Sequence, residues 1–151
     1  MRDALDTYRA IGQRIALPML IAGLAQSHAA AGDSEAAFTR LAEARTTAES
    51  GGELHYLAEL HRLEGELHAG ADDPSAERCY RTAIELARAQ GERWWELRAT
   101  TSLAGLALRP RTPIATRRAR RDDLAAIVVS VSEGLDTADI RDATRVIAEL
   151  G

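Results

Sequence analysis

His61, Glu64 and His68 recur at i, i+3 and i+7, which puts two imidazoles and a carboxylate on one face of a helix. All three are zinc-ligand types. Seven residues of helix rise nevertheless separate the two histidines by about 10 Å, too far for one ion with bonds of about 2 Å. The spacing therefore predicts no metal site, and the three groups read as polar side chains facing a groove. Cys79 is the single cysteine and has no His or Lys within a turn of sequence to activate it, so it reads as a small buried residue. Trp94-Trp95 adjoin Arg93 and Arg98, a pairing that could stack an aromatic ligand. Neighbouring helical residues point about 100° apart, so one indole is expected in the core and the other half-exposed. Glu59, Arg62 and Glu66 are spaced for ion pairs along one helix and read as scaffold. The chain has no lysine, which excludes a Gly-x-x-x-x-Gly-Lys phosphate loop. No paired-carboxylate, nucleophile or metal constellation is present, so neither catalytic nor cofactor-binding residues are assigned, and the expected function is not enzymatic.

Such residues need elements to hold them, and the composition points to helices. Of 151 residues, 46% are hydrophobic but only 4% aromatic. An abundance of Ala, Leu, Glu and Arg suits closely packed helices. The 19 basic residues are all Arg, a bias that a GC-rich genome produces without selection for function. Six of them fall between Arg109 and Arg121 with no acid among them, leaving 13 Arg against 23 acids, a net −10, in the rest of the chain. An aromatic-free basic segment on an acidic body disfavours nucleic-acid binding and suits either an acidic protein surface or solvent. No long apolar run or N-terminal signal segment is apparent, so no membrane association is expected. With one cysteine, a reducing cytoplasm is the expected location.

Helical periodicity predicts eight helices in one domain spanning 1–151. The first runs from Asp3 to Gln13 and carries Leu5, Tyr8 and Ile11, an apolar flank that lacks a partner helix and is a candidate homodimer surface. Then come Pro18 to Ala31, a helix capped by Ser34 and ending at Gly51-Gly52, Glu53 to Ala69, Pro74 to Gln90, and Glu92 to about Leu108. Pro110 and Pro113 predict an irregular loop at about 109–116. A seventh helix of uncertain start, Thr116 or Asp122, runs to about Val131, and a capping helix covers about 137–150.

The chain also repeats itself. Leu24, Ala37, Leu41 and Ala44 return 39 residues later as Leu63, Ala76, Tyr80 and Ala83, and a weaker copy begins 40 residues further on at Leu103-Ala104. A period of this length marks stacked helix pairs. The stretches Ala58–Leu67, Ala76–Ala87 and Leu97–Ala104, with a closing segment Glu133–Ile140, resemble tetratricopeptide-repeat (TPR) arrays. They are most similar to the degenerate repeats at the C-terminal end of bacterial signalling proteins that join an adenylate-cyclase or LuxR-type module to a STAND-type NTPase.

The resemblance implies an all-α, TPR-like solenoid of about eight antiparallel helices in a right-handed superhelix, whose first helix in each pair lines a concave face. In that register the face presents Gln26, His61, His68, Arg98 and Thr101 to a protein or peptide partner. Arg98 either contacts that partner or pairs internally with Glu59 or Glu64. The implied function is a non-catalytic interaction or regulatory module, formerly or actually the C-terminal part of a larger signalling protein. Homodimerisation through Leu5, Tyr8 and Ile11 is the alternative. The small residue expected in the seventh helix would fall at Arg120, so the last pair should pack irregularly.

Overall fold

A computed structural model describes residues 16–71, 74–134 and 136–151. Among them are seven α-helices and no strand: α1 Leu17–Ala30, α2 Ser34–Gly51, α3 Leu57–Gly70, α4 Ser75–Gln90, α5 Arg93–Gly105, α6 Ile114–Ser130 and α7 Ala138–Leu150. The expected helix Asp3–Gln13, with the flank Leu5, Tyr8 and Ile11, lies outside the described residues. No described helix is long and apolar enough to cross a membrane.

Helix ends follow local chemistry. Pro18 occupies the first turn of α1, where a missing N–H costs nothing. Asp33, rather than Ser34, caps α2 by accepting from the Ala36 N–H at 3.1 Å. A carboxylate does this as well as a hydroxyl and also complements the helix dipole. Gly52 and Gly91 end α2 and α4 in the left-handed conformation that an added Cβ would strain. The start of the Glu53–Ala69 segment is a 3₁₀ turn at Leu54–Tyr56, and α3 proper begins at Leu57. A second 3₁₀ turn, Leu106–Leu108, follows α5. The irregular segment is shorter than the expected 109–116: α6 already starts at Ile114, because Pro113 stands at its N-cap in an extended conformation that leads directly into the helix. Thr137 caps α7 through the Ile140 N–H.

The repeat is written in burial. Ala37, Leu41, Ala44 and Ala48 of α2 are buried, and so are Ala76, Tyr80, Ala83 and Ala87, each 39 positions later in α4. Alanines at this spacing let neighbouring helices approach closely. Consecutive helices pack on one another throughout, and in addition α1 packs on α3, α3 on α5 and α5 on α7. One core cluster joins α1, α2 and α3 around Ile21, Leu24, Leu41, Leu60 and Leu63. Another joins α4 and α5 around Tyr80, Ile84 and Leu103. A third joins α5, α6 and α7 around Leu97, Leu124, Ile127, Ile140 and Val146.

The two copies fill the same space with different pairs. Tyr80 fits because position 65 is glycine: a Cβ there would sit 2.5 Å from the Tyr80 ring. In the first copy Leu41 and Gln26 occupy the equivalent positions, and both line an open cavity. Neither tryptophan is in the core. Trp94 is 36% exposed, and Trp95 is half-buried under the Arg98 guanidinium, 5.7 Å from its ring. The sequence expectation of one core indole is not met: Trp94 packs against the turn at Gly134, and Trp95 lies under Arg98.

Candidate functional site

Alternate helices α1, α3, α5 and α7 pack on one another, and two cavities open along them. One of about 430 Å³ is lined by α1, α2 and α3, including Ala25, Gln26, Leu63 and Leu67. The other, about 460 Å³, is lined by α3, α5 and α7 together with Tyr80 and Arg109. Arg62 and Glu66 line both, so the two cavities adjoin at this pair of side chains and together make up the candidate groove.

Its floor is a network of charges. Glu59 is 1% exposed and receives both Nε and Nη2 of Arg62 at 2.8 Å, a bidentate fork. Arg98 Nη2, from α5, reaches the same Glu59 Oε1 at 3.0 Å. The free edge of Arg62 donates from Nη1 to Glu66 at 2.9 Å and to Ser102 Oγ at 3.3 Å, and Ser102 donates in turn to Glu66 at 2.7 Å. Burial opposes the charge of Arg62, but the Glu59 hydrogen bond and the carboxylates of Glu59 and Glu66 outweigh it and raise its pKa. The Tyr80 phenol is pushed well up by burial first and then by the Glu66 charge, so it stays a neutral donor beside the network. Arg98 Nη1 meets Asp139 of α7 at only 3.7 Å. A guanidinium edge held that loosely, on a side chain one-third exposed, is the part of the network a ligand carboxylate can take over.

The residues expected on the concave face divide. Gln26 lines the first cavity, and Arg98 and Thr101 line the second. Thr101 donates its hydroxyl to the Leu97 carbonyl at 2.8 Å. Arg98 makes the internal pair that its alternative reading allowed, with Glu59 rather than Glu64. His61 and His68 line neither cavity. They lie on the side of α3 that meets α2: His61 Nδ1 is 3.7 Å from Glu64, which is bonded by Arg45 of α2 at 3.1 Å, and His68 packs on the Phe38 ring at 5.0 Å. Burial lowers the His61 pKa, with Glu64 opposing and Arg45 assisting. The two histidines share one face of α3, and α2 packs beside it. Arg62, Glu66 and Ser102 were missed as site residues. The i, i+3 and i, i+4 spacing of Glu59, Arg62 and Glu66 was visible, but nothing local showed that it would be buried against α5.

Glu64 and His68, which meet α2, also come close to Cys79 of α4. Ligand atoms of Glu64, His68 and Cys79 all lie within 4.8 Å of one another, with Cys79 buried and the other two half-buried. His68 and Cys79 are eleven positions apart, so only the α3–α4 contact brings them together.

The basic segment is largely committed within the fold. Arg109 donates to the Ala69 carbonyl at 3.1 Å, Arg117 to the Ala107 carbonyl at 3.1 Å, Arg120 to Glu77 at 2.7 Å and Arg121 to Asp122 at 2.7 Å. No protein-family model, characterised protein or solved structure matches the chain.

Proposed function

We propose that the chain is a non-catalytic protein-interaction module that binds an acidic peptide segment of a partner protein along the depression formed by α1, α3, α5 and α7. The observation that carries this reading is the Arg98 guanidinium. It is anchored from below by buried Glu59 and braced against Trp95, while its outer edge meets Asp139 at 3.7 Å. An arginine already held in one orientation loses little rotamer freedom on binding, and Arg-carboxylate forks are strong and directional. The repeat in burial and the packing of alternate helices on one another support a stacked, TPR-like arrangement of helix pairs. A regulatory role inside a larger signalling protein follows from the resemblance and belongs to the same reading.

Selection of a displayed peptide library on the intact chain tests it. Peptides enriched by the chain should carry Asp or Glu at a fixed position. They should bind Arg98→Glu at least about tenfold more weakly, the loss of one charge-assisted pair, and bind Asp139→Asn more tightly, because the competing carboxylate is gone. Peptides that bind Arg98→Glu and wild type equally would refute the groove as the working surface.

A further inference from the structure

We infer that Glu64, His68 and Cys79 form a divalent transition-metal site, with Zn²⁺ the favoured ion, clamping α3 to α4. The site is separate from the groove and does not depend on it. Three donors no more than 4.8 Å apart define a point within about 2.8 Å of all of them (4.8 Å divided by √3). Zinc bonds of about 2.0–2.3 Å then require each donor to close by less than about an ångström.

The donor chemistry is selective. Glu64 and His68 stand at i and i+4, the helical spacing that aims two ligands at one point, and Cys79 completes the set from the facing helix. A thiolate with an imidazole and a carboxylate suits zinc and disfavours magnesium or calcium, which prefer all-oxygen shells. One thiolate and one carboxylate neutralise the ion, and three protein ligands leave a fourth position for water. Around these residues the Phe38 ring packs on His68, and His61 Nδ1 stands 3.7 Å from the Glu64 carboxylate. One group opposes the metal. Arg45 holds Glu64 Oε2 at 3.1 Å, placing a positive charge beside the site and competing for a ligand. Removing that charge should therefore tighten metal binding, whereas a carboxylate serving only in an ion pair would gain no metal affinity from the change.

Co²⁺ titration of the reduced, full-length chain followed by absorption spectroscopy is the test, with Zn²⁺ as competitor. One equivalent of Co²⁺ should give a thiolate-to-cobalt charge-transfer band and the visible bands of four-coordination, all displaced by Zn²⁺. Cys79→Ser should abolish the charge-transfer band. His68→Gln, at a half-exposed position where folding is retained by circular dichroism, should weaken binding at least about tenfold. Arg45→Gln should strengthen it several-fold. Absence of a charge-transfer band in wild type would overturn the inference and leave the three groups as a hydrogen-bonded cluster. So would Co²⁺ affinity unchanged in His68→Gln, which would assign the binding to other histidines.

Discussion

Glu59→Gln should be among the most damaging single-atom changes this protein can suffer. Gln keeps the volume and shape of Glu, so no cavity opens, and the consequence is electrostatic alone. At 1% exposure Glu59 is the shared counter-charge of Arg62 and Arg98, accepting from the first at two atoms 2.8 Å away and from the second at 3.0 Å. Neutralising it leaves Arg62, itself 8% exposed, with only the rim carboxylate of Glu66, and sets an amide N–H₂ against guanidinium donors. Removing one partner of a buried ion pair costs about 3–5 kcal/mol. At about 2–4 °C per kcal/mol for a chain of this size, the melting temperature should fall by about 6–20 °C. Thermal and urea unfolding followed by far-UV circular dichroism would measure it. Glu149→Gln, which breaks an exposed pair with Arg145, provides the control and should leave the melt unchanged. The double replacement Glu59→Leu/Arg62→Met should be milder than the sum of its parts, since it removes both desolvated charges together. A loss below about 1 kcal/mol for Glu59→Gln would place it with surface ion pairs and refute the claim that Glu59 organises the floor of the groove.

Three further outcomes follow from the packing. Gly65→Ala should destabilise by about 1–3 kcal/mol through overpacking against Tyr80, although the same change in an open helix gains up to about 1 kcal/mol. Gly51→Ala, where a Cβ meets nothing within 4 Å, should show that gain, and urea midpoints that rank the two variants equally would dismiss the Tyr80 contact. Arg120→Ala should loosen α6 from α4 by removing its 2.7 Å bond to Glu77. The Glu77 carboxyl is held below its usual 4.5 by the Arg81 hydrogen bond first and by Arg120 as well, so the stabilisation is present above pH 4.5 and fades as pH falls through the lowered value. The stability gap between Arg120→Ala and wild type should therefore narrow in acid, and a gap that widens instead would contradict the assignment. Leu63→Ala, at 4% exposure, should cost about 2–5 kcal/mol by opening a cavity, whereas Val129→Ala, on an 85% exposed side chain, should change the urea midpoint little.

Much of this architecture is legible along the chain because its causes are local. Glycine at 52 and 91 stops a helix by accepting a left-handed conformation, proline at 18 and 74 sets a first turn or a cap, and a 39-residue recurrence of Ala and Leu announces buried stripes. Those signals depend on a residue and its neighbours within a turn or two. Gln26 lines one cavity, and Arg98 and Thr101 line the other. The contacts that give the site its chemistry have no local cause. Glu59 and Arg98 are 39 positions apart, and Ser102 and Glu66 are 36. His61 and His68 turn toward α2 because Arg45 and Phe38 happen to pack there, and Cys79 meets His68 only where α3 lies against α4. A helix's periodicity tells which residues share a face; which side chains meet that face, and so which charges are desolvated, is settled only when the helices pack.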